Sequence, residues 1–263
     1  MSDGLPVFDS QLRPQYTQAP SPEWVNGQPV KEVTGGKEWL AGEEKGWQVV
    51  NAATENPMKL YTLMISGIVP RPIAFVSTIG PDGSENLAPF SWFNQVSALP
   101  PVISISCMNG PPRVKDTANN IRATKEFTVN IISEPFIANA NVTSVDAPAG
   151  VSEWTISGLT KASSIEVKPA RVLESAFSIE CQLLDVVDIK HPANGVATTS
   201  MFLGLVKYVH VRKDVLKADG TVDPTLLKPV ARMGDTTYAR LGDLFRIARP
   251  TWSEPEGNTE NSK

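Results

Sequence analysis

The alternation of apolar and polar positions along this chain is dominated by strands. Arg71-Pro72-Ile73-Ala74-Phe75-Val76-Ser77-Thr78-Ile79 is a continuous β-branched and aromatic run. Gly80-Pro81-Asp82-Gly83 behind it supplies turn chemistry for a hairpin, so a second strand is expected to follow. In the run from Val102 to Cys107, Ile103, Ile105 and Cys107 share one face while Ser104 and Ser106 share the other, the period of two that marks a half-exposed strand. The runs Phe127 to Ile131 and Phe177 to Leu183 repeat this alternation, and Phe202 to Val211 does so less regularly. Helical signals are fewer. Asp116 is placed to cap a helix over Thr117 to Ala123, and Ser133 precedes a segment with Pro135 in its first turn. Many strands joined by short turns, with a few inserted helices, predict a mainly β fold: a closed or partly closed antiparallel barrel.

The ends read differently. Residues 1–50 carry Pro14, Pro20, Pro22 and Pro29 among scattered tryptophans without a sustained period, as expected of an extended N-terminal arm laid on a core or on a partner subunit. Residues 253–263 are polar and are expected to be a disordered tail. Between them, residues 51–215 are expected to form the barrel domain and residues 216–252 an extension packed on it. A chain of 263 residues buries roughly 73% of its extended-chain surface, so it needs no disulfide or metal to hold a core. The net charge of −4 argues against a non-specific nucleic-acid grip. No apolar stretch approaches the roughly 18 residues of a membrane helix, and the N-terminus lacks a signal-peptide pattern, so neither a membrane nor a secretory route is expected. The two cysteines, Cys107 and Cys181, sit inside apolar alternating runs, as suits buried thiols in a reducing, cytoplasmic compartment. His191 and His210 stand far apart and away from other ligand-type residues, which argues against a zinc site.

Several catalytic signatures are missing. There is no Gly-x-Ser-x-Gly elbow, no Gly-x-Gly-x-x-Gly fingerprint and no Gly-x-x-x-x-Gly-Lys loop. Two segments do carry candidate chemistry. Asn86-Leu87-Ala88-Pro89-Phe90-Ser91-Trp92-Phe93-Asn94 mixes amides, a hydroxyl and aromatics in a run broken by proline, where ladder pairing stops and backbone amides are free to face a ligand. The same run also suits an irregular barrel corner around a packed Trp92. Met108 to Thr117 leads into the predicted helix start, whose unpaired N–H groups, with Arg113, Lys115 and the Thr117 hydroxyl, would suit a phosphate dianion. An ordinary cap flanked by solvated cations is the alternative.

Taken in order, these residues carry a resemblance. Val69-Pro70-Arg71-Pro72-Ile73-Ala74-Phe75-Val76-Ser77-Thr78, Asp82-Gly83, Asn86-Leu87-Ala88-Pro89-Phe90-Ser91-x-Phe93, Pro100-Pro101, Lys115-Asp116-Thr117 and Glu126-Phe127-x-Val129-Asn130 resemble the flavin reductase-like family of FMN-binding split barrels, flavoredoxin-type proteins among them. Gly150-Val151-Ser152-Glu153-Trp154, Gly158-Leu159-Thr160 and the strand from Gly204 to His210 extend the similarity, which spans about Tyr61 to Val211. The resemblance implies a six-stranded antiparallel Greek-key split barrel, a homodimer, and FMN held near the subunit interface. It places flavin contacts on Asn86, Ala88, Pro89, Ser91 and Trp92 near the ring or ribityl chain, and on Ser106, Cys107, Lys115 and Thr117 toward the phosphate. Arg232-Met233-Gly234-Asp235-x-x-Tyr238 resembles an element of the longer members, and either an approach to the flavin or a docked terminal hairpin or helix is expected of it. The implied activity is that of an FMN-dependent oxidoreductase taking hydride from NADH or NADPH and passing electrons to free flavin or another small-molecule acceptor. No acid–base side chain is then required, because the flavin carries the chemistry. A flavin-binding electron carrier, or an oxidase or oxygenase of a small organic substrate, are the alternatives.

Overall fold

The computed structural model describes residues 4–110, 113–148 and 151–251, so the expected tail from Ser253 to Lys263 lies outside the described residues. The described residues fall into two compact units, one running from Asn51 to Leu241 and the other formed by those up to Val50 and from Gly242 on. In the second unit Tyr16–Thr17 pairs in parallel with Leu244–Phe245, and short helical turns occupy Val30–Glu32, Gly36–Leu40 and Ala41–Lys45.

The first unit is built on seven long antiparallel strands: β1 (Ala74–Ile79), β2 (Glu85–Phe90), β3 (Phe93–Ala98), β4 (Pro101–Gly110), β5 (Glu126–Ile131), β6 (Phe177–Lys190) and β7 (Ala197–Val211). Their spatial order is β2-β1-β5-β6-β7-β4-β3, with the two-residue strand Arg113–Val114 added against β4. That is one long strand more than the six implied by the resemblance. The two end strands, β2 and β3, are consecutive in sequence, so the split in the barrel falls at Ser91-Trp92, where a Ser106 N–H still reaches the Trp92 carbonyl at 2.9 Å. Pro89 sits in β2 because an edge strand tolerates a missing N–H.

Alternation sets the interior. Ala74, Val76, Ile103, Ile105, Phe127, Val129, Ile179 and Phe202 point into one buried cluster, closed at one end by Ala118 and Ile121. These two belong to a helix over Asp116–Thr124, which starts one residue earlier than expected: Lys115 takes the cap position and Asp116 the first turn. Strand β1 is buried on both faces because Phe75, on its outer side, joins a second cluster with Leu87, Phe136, Trp154, Val172 and Val230. That two-sided burial is why its sequence reads as a continuous apolar run. Gly204 is required by packing: a Cβ there would stand 2.4 Å from the Phe127 ring. Register shifts at Glu180/Cys181 and Leu183/Asp185 bend β6 around the barrel.

Three helices matter for the site: α1 (Pro57–Gly67), α2 (Asp116–Thr124) and α3 (Ile137–Val142). Helix α1 was not expected, although Asn56 caps it by accepting from the Met58 and Lys59 N–H groups and Pro57 opens it. Helix α3 follows Ser133 and Pro135 as expected. The chain after the barrel forms a small hairpin, β8 (Val230–Arg232) with β9 (Tyr238–Arg240), tied to the barrel by an Arg71–Arg232 bridge and by Val230 in the second cluster.

Candidate functional site

Two hollows lie side by side at the mouth of the split, sharing Pro89 and Ser144. The larger, about 360 Å³, is walled by Asn86, Ala88, Pro89 and Phe90 of β2, Met108 and Gly110 of β4, and the start of α2 with Lys115, Asp116 and Thr117. Its opposite wall is the segment Thr143 to Ala147 that follows α3, together with Glu153. The smaller, about 200 Å³, is walled by Tyr61 and Ile65 of α1, Arg71, Ser91, Trp92, and Arg232, Asp235 and Tyr238 of the β8–β9 hairpin.

The floor of the larger hollow is a linked set of polar groups. Asn86 accepts a hydrogen bond from the Thr117 hydroxyl at 2.8 Å and donates one to Glu153 Oε2 at 3.3 Å, and the same oxygen accepts from the Leu87 N–H at 3.1 Å. Thr117 and Glu153 are buried, so the network ties the start of α2 to strand β2 beneath the cavity. Above it, the Lys115 ammonium stands at the rim, donating to Asp146 at 2.6 Å with both side chains substantially exposed. A helix start and a cation thus converge on one end of this hollow.

In the smaller hollow, the buried Arg71 makes four hydrogen bonds. It donates to the carbonyls of Ile65, Ile68 and Met233, the last two at 2.8 and 2.7 Å, and to the Ser91 hydroxyl at 3.4 Å. Burial lowers its pKa, and the neighbouring Arg232 charge lowers it further. Arg71 is therefore a brace that joins α1, the split and the hairpin. The Arg232 guanidinium lies over the Tyr238 ring at 4.5 Å, and the Tyr238 hydroxyl donates to Asn141 of α3 at 2.7 Å.

Of the nine residues expected around a flavin, Asn86, Ala88, Pro89, Lys115 and Thr117 meet at the larger hollow, while Ser91 and Trp92 line the smaller one with Pro89. Ser106 and Cys107 line neither. Cys107 is fully buried in the barrel core, and its thiol is pushed up to about 12 by that burial, so it stays protonated and unreactive. Arg232 and Tyr238 come to the site. His191 lies exposed in a turn, its Nδ1 accepting from Ala193 N–H. His210 is bound to the buried Glu180 at 2.6 Å, the hydrogen-bonded histidine of a barrel wall. Sequence reasoning missed Tyr61, Ile65 and the segment Thr143 to Ala147. Tyr61 and Ile65 went with the unread helix α1, and the Thr143 to Ala147 segment carries a weak signal because a connecting segment gains meaning only once α3 carries it across the cavity.

The fold and these hollows define a class of protein: a split β-barrel with a polar-floored trough at its seam. Residues 66–229 match the flavin reductase like domain, and the chain belongs to the flavin reductase-like family. An uncharacterized protein of Halalkalibacterium halodurans is 36% identical over 195 residues, covering 74% of this chain and 92% of that protein. The crystal structure of nitrilotriacetate monooxygenase component B from Bacillus cereus matches with a TM-score of 0.74 at 30% identity, over 77% of this chain and 99% of that one. The Pseudomonas fluorescens 2-nitrobenzoate 2-nitroreductase NbaA matches with a TM-score of 0.70 at 26% identity, over 80% and 100%. A split barrel domain structure from Shewanella frigidimarina, 22% identical with a TM-score of 0.65 over 79% and 100%, has the same fold.

Proposed function

We propose that this protein is an FMN-dependent oxidoreductase that takes hydride from NADH or NADPH and passes electrons to free flavin or another small acceptor. The observation that carries this reading is the pairing of the two hollows at the split, one ending in a cation and a helix start, the other walled by aromatic rings. The donor set fits a phosphate-bearing planar ligand. Lys115 and the first turn of α2 supply the positive end, and the apolar wall of Ala88, Pro89 and Phe90 supplies a surface against which a flat ring packs. Thr117 acts from below, holding the helix start to Asn86 rather than meeting a ligand from the cavity wall alone. A bound flavin would supply the hydride chemistry, leaving orientation and electrostatics to the chain. Trp92, partly exposed at the split, would shield one side of the ring, and Ser91 would stay fixed by Arg71. Alignment of the two reacting rings then contributes the rate, with no acid–base pair needed.

The same reading includes a homodimer. Val96 and Leu99 on and beside β3, Val187 and Ile189 on β6, and Val196 ahead of β7 are exposed apolar residues of the barrel surface, and their burial against a second copy is the simplest use of them. Two free, buried cysteines support a reducing, cytoplasmic setting. The test is a visible absorption spectrum of protein supplied with FMN and desalted, recorded without oxygen before and after NADH or NADPH. A retained flavin band that bleaches is the expected result. A band that persists with both dinucleotides would overturn the donor assignment, and a protein that retains no flavin would overturn the cofactor assignment.

A further inference from the structure

The smaller hollow contains a cation that the flavin reading leaves unused. Arg71 and Arg232 stand together there, yet they differ in what they have already given. Arg71 spends its donors on three carbonyls and a hydroxyl. Arg232 is half-buried, and its main chain is fixed by reciprocal bonds with Arg71 at 3.0 and 2.9 Å. Among the described residues its guanidinium makes no hydrogen bond or ion pair, only the stack on Tyr238. Stacking on a ring leaves the planar N–H edge free, which is the edge that grips a carboxylate in a two-pronged fashion. Asp235 also lines the hollow but is exposed and does not pair with Arg232, so with Arg71 the local charge stays positive.

We propose that this hollow is a substrate subsite in which Arg232 takes the carboxylate of a small planar acid, with a single aromatic ring held among Tyr61, Trp92 and Ile65. Size selects that class. At about 200 Å³ the hollow is smaller than the roughly 300–1,000 Å³ of sites that enclose drug-sized ligands, a volume that suits a single ring. Position gives the ligand its use: sharing Pro89 and Ser144 with the larger hollow, the subsite sets its occupant beside the flavin trough. The substrate role rests on the flavin reading, whereas the binding rests only on groups of this chain.

The test is calorimetric titration of FMN-loaded protein with benzoate and with its neutral isostere benzamide. Benzoate is expected to bind saturably and benzamide at least tenfold more weakly. Arg232→Gln is expected to lose at least tenfold in benzoate affinity with FMN retention unchanged, and Arg232→Lys to fall between, because an ammonium keeps the charge without the fork. No benzoate binding, equal binding of benzamide, or unchanged benzoate affinity in Arg232→Gln would overturn the subsite. Loss of FMN from Arg232→Gln would also overturn it, by assigning the guanidinium to the flavin phosphate. The benzoate and benzamide comparison on the unaltered chain keeps the proposal testable if a variant fails to fold. Repeating the titration without FMN separates the two readings: benzoate binding by a protein that retains no flavin would defeat the flavin reading and leave the subsite standing.

Discussion

Glu180 in β6 and the Lys115–Thr117 corner at the start of α2 are both clusters of polar groups on the same barrel, but their hydrogen-bonding capacity is used in opposite ways. Glu180 is fully buried, and its two carboxylate oxygens accept from the N–H groups of Ile165, Glu166 and Val167 at 2.7, 2.8 and 3.1 Å and face His210 Nε2 at 2.6 Å. Every lone pair has a partner, and the residue lines neither hollow of the split. At the α2 corner the buried members, Thr117, Asn86 and Glu153, bond to one another, while among the described residues the Lys115 ammonium pairs with an exposed Asp146 at the lip of a 360 Å³ hollow. The first cluster holds the loop over Ile165 to Val167 to the sheet. The second leaves charge available for something that arrives from solvent, and that difference separates a structural network from a site.

The largest effect is expected at Glu180. Burial alone would raise its pKa, but the backbone donors of Glu166 and Ile165, the His210 ring and the Val167 N–H outweigh it and hold the group at about 2. A carboxyl depressed in the folded state stabilises fully above its unfolded pKa, near 4.5, and that contribution drains away as pH falls toward 2. Glu180→Gln is therefore expected to cost about 3 kcal/mol at neutral pH and to flatten the acid limb of the stability curve, without altering flavin affinity. Chemical denaturation of both proteins between pH 2 and 7 checks this, and a flavin defect in the variant would show that the two clusters are not separable. Next in size is Gly204→Ala, which drives a methyl into the Phe127 ring and is expected to cost about 1–3 kcal/mol in thermal unfolding. Its flavin binding should match that of the parent once folded. The smallest effect is expected from Asp146→Asn, which frees Lys115 from an exposed ion pair whose worth is about 0.2–1 kcal/mol. It should tighten FMN by at most a few-fold at low salt, the gain fading as salt rises, measured by flavin fluorescence titration.

The barrel was legible because each inward strand announces itself by alternation: Ile103, Ile105 and Cys107 are all in the core. The start of α2 was legible to within one residue, since cap chemistry is local. Helix α1 was not read, although the Asn56-Pro57 start carries a recognisable cap; the proline-rich stretch before it drowned the signal. The site divides along the same line. Asn86, Ala88, Pro89, Lys115 and Thr117 follow local patterns and meet at one hollow. Arg71 looked like the head of a strand, and only the hairpin bridge reveals it as the brace of the smaller hollow. Cys107 shows the converse limit, since neighbourhood in sequence to the site did not bring its side chain to the trough.

If the α2 corner receives the phosphate of a flavin, the FMN dissociation constant of Lys115→Ala/Thr117→Ala will differ from that of the parent at one fixed salt concentration. Removing the cation and the tie that positions the helix start should weaken FMN by roughly tenfold or more, with riboflavin, which lacks the phosphate, losing far less. An unchanged FMN affinity in the folded double variant, or an equal loss for riboflavin, would show that the phosphate is not held at this corner.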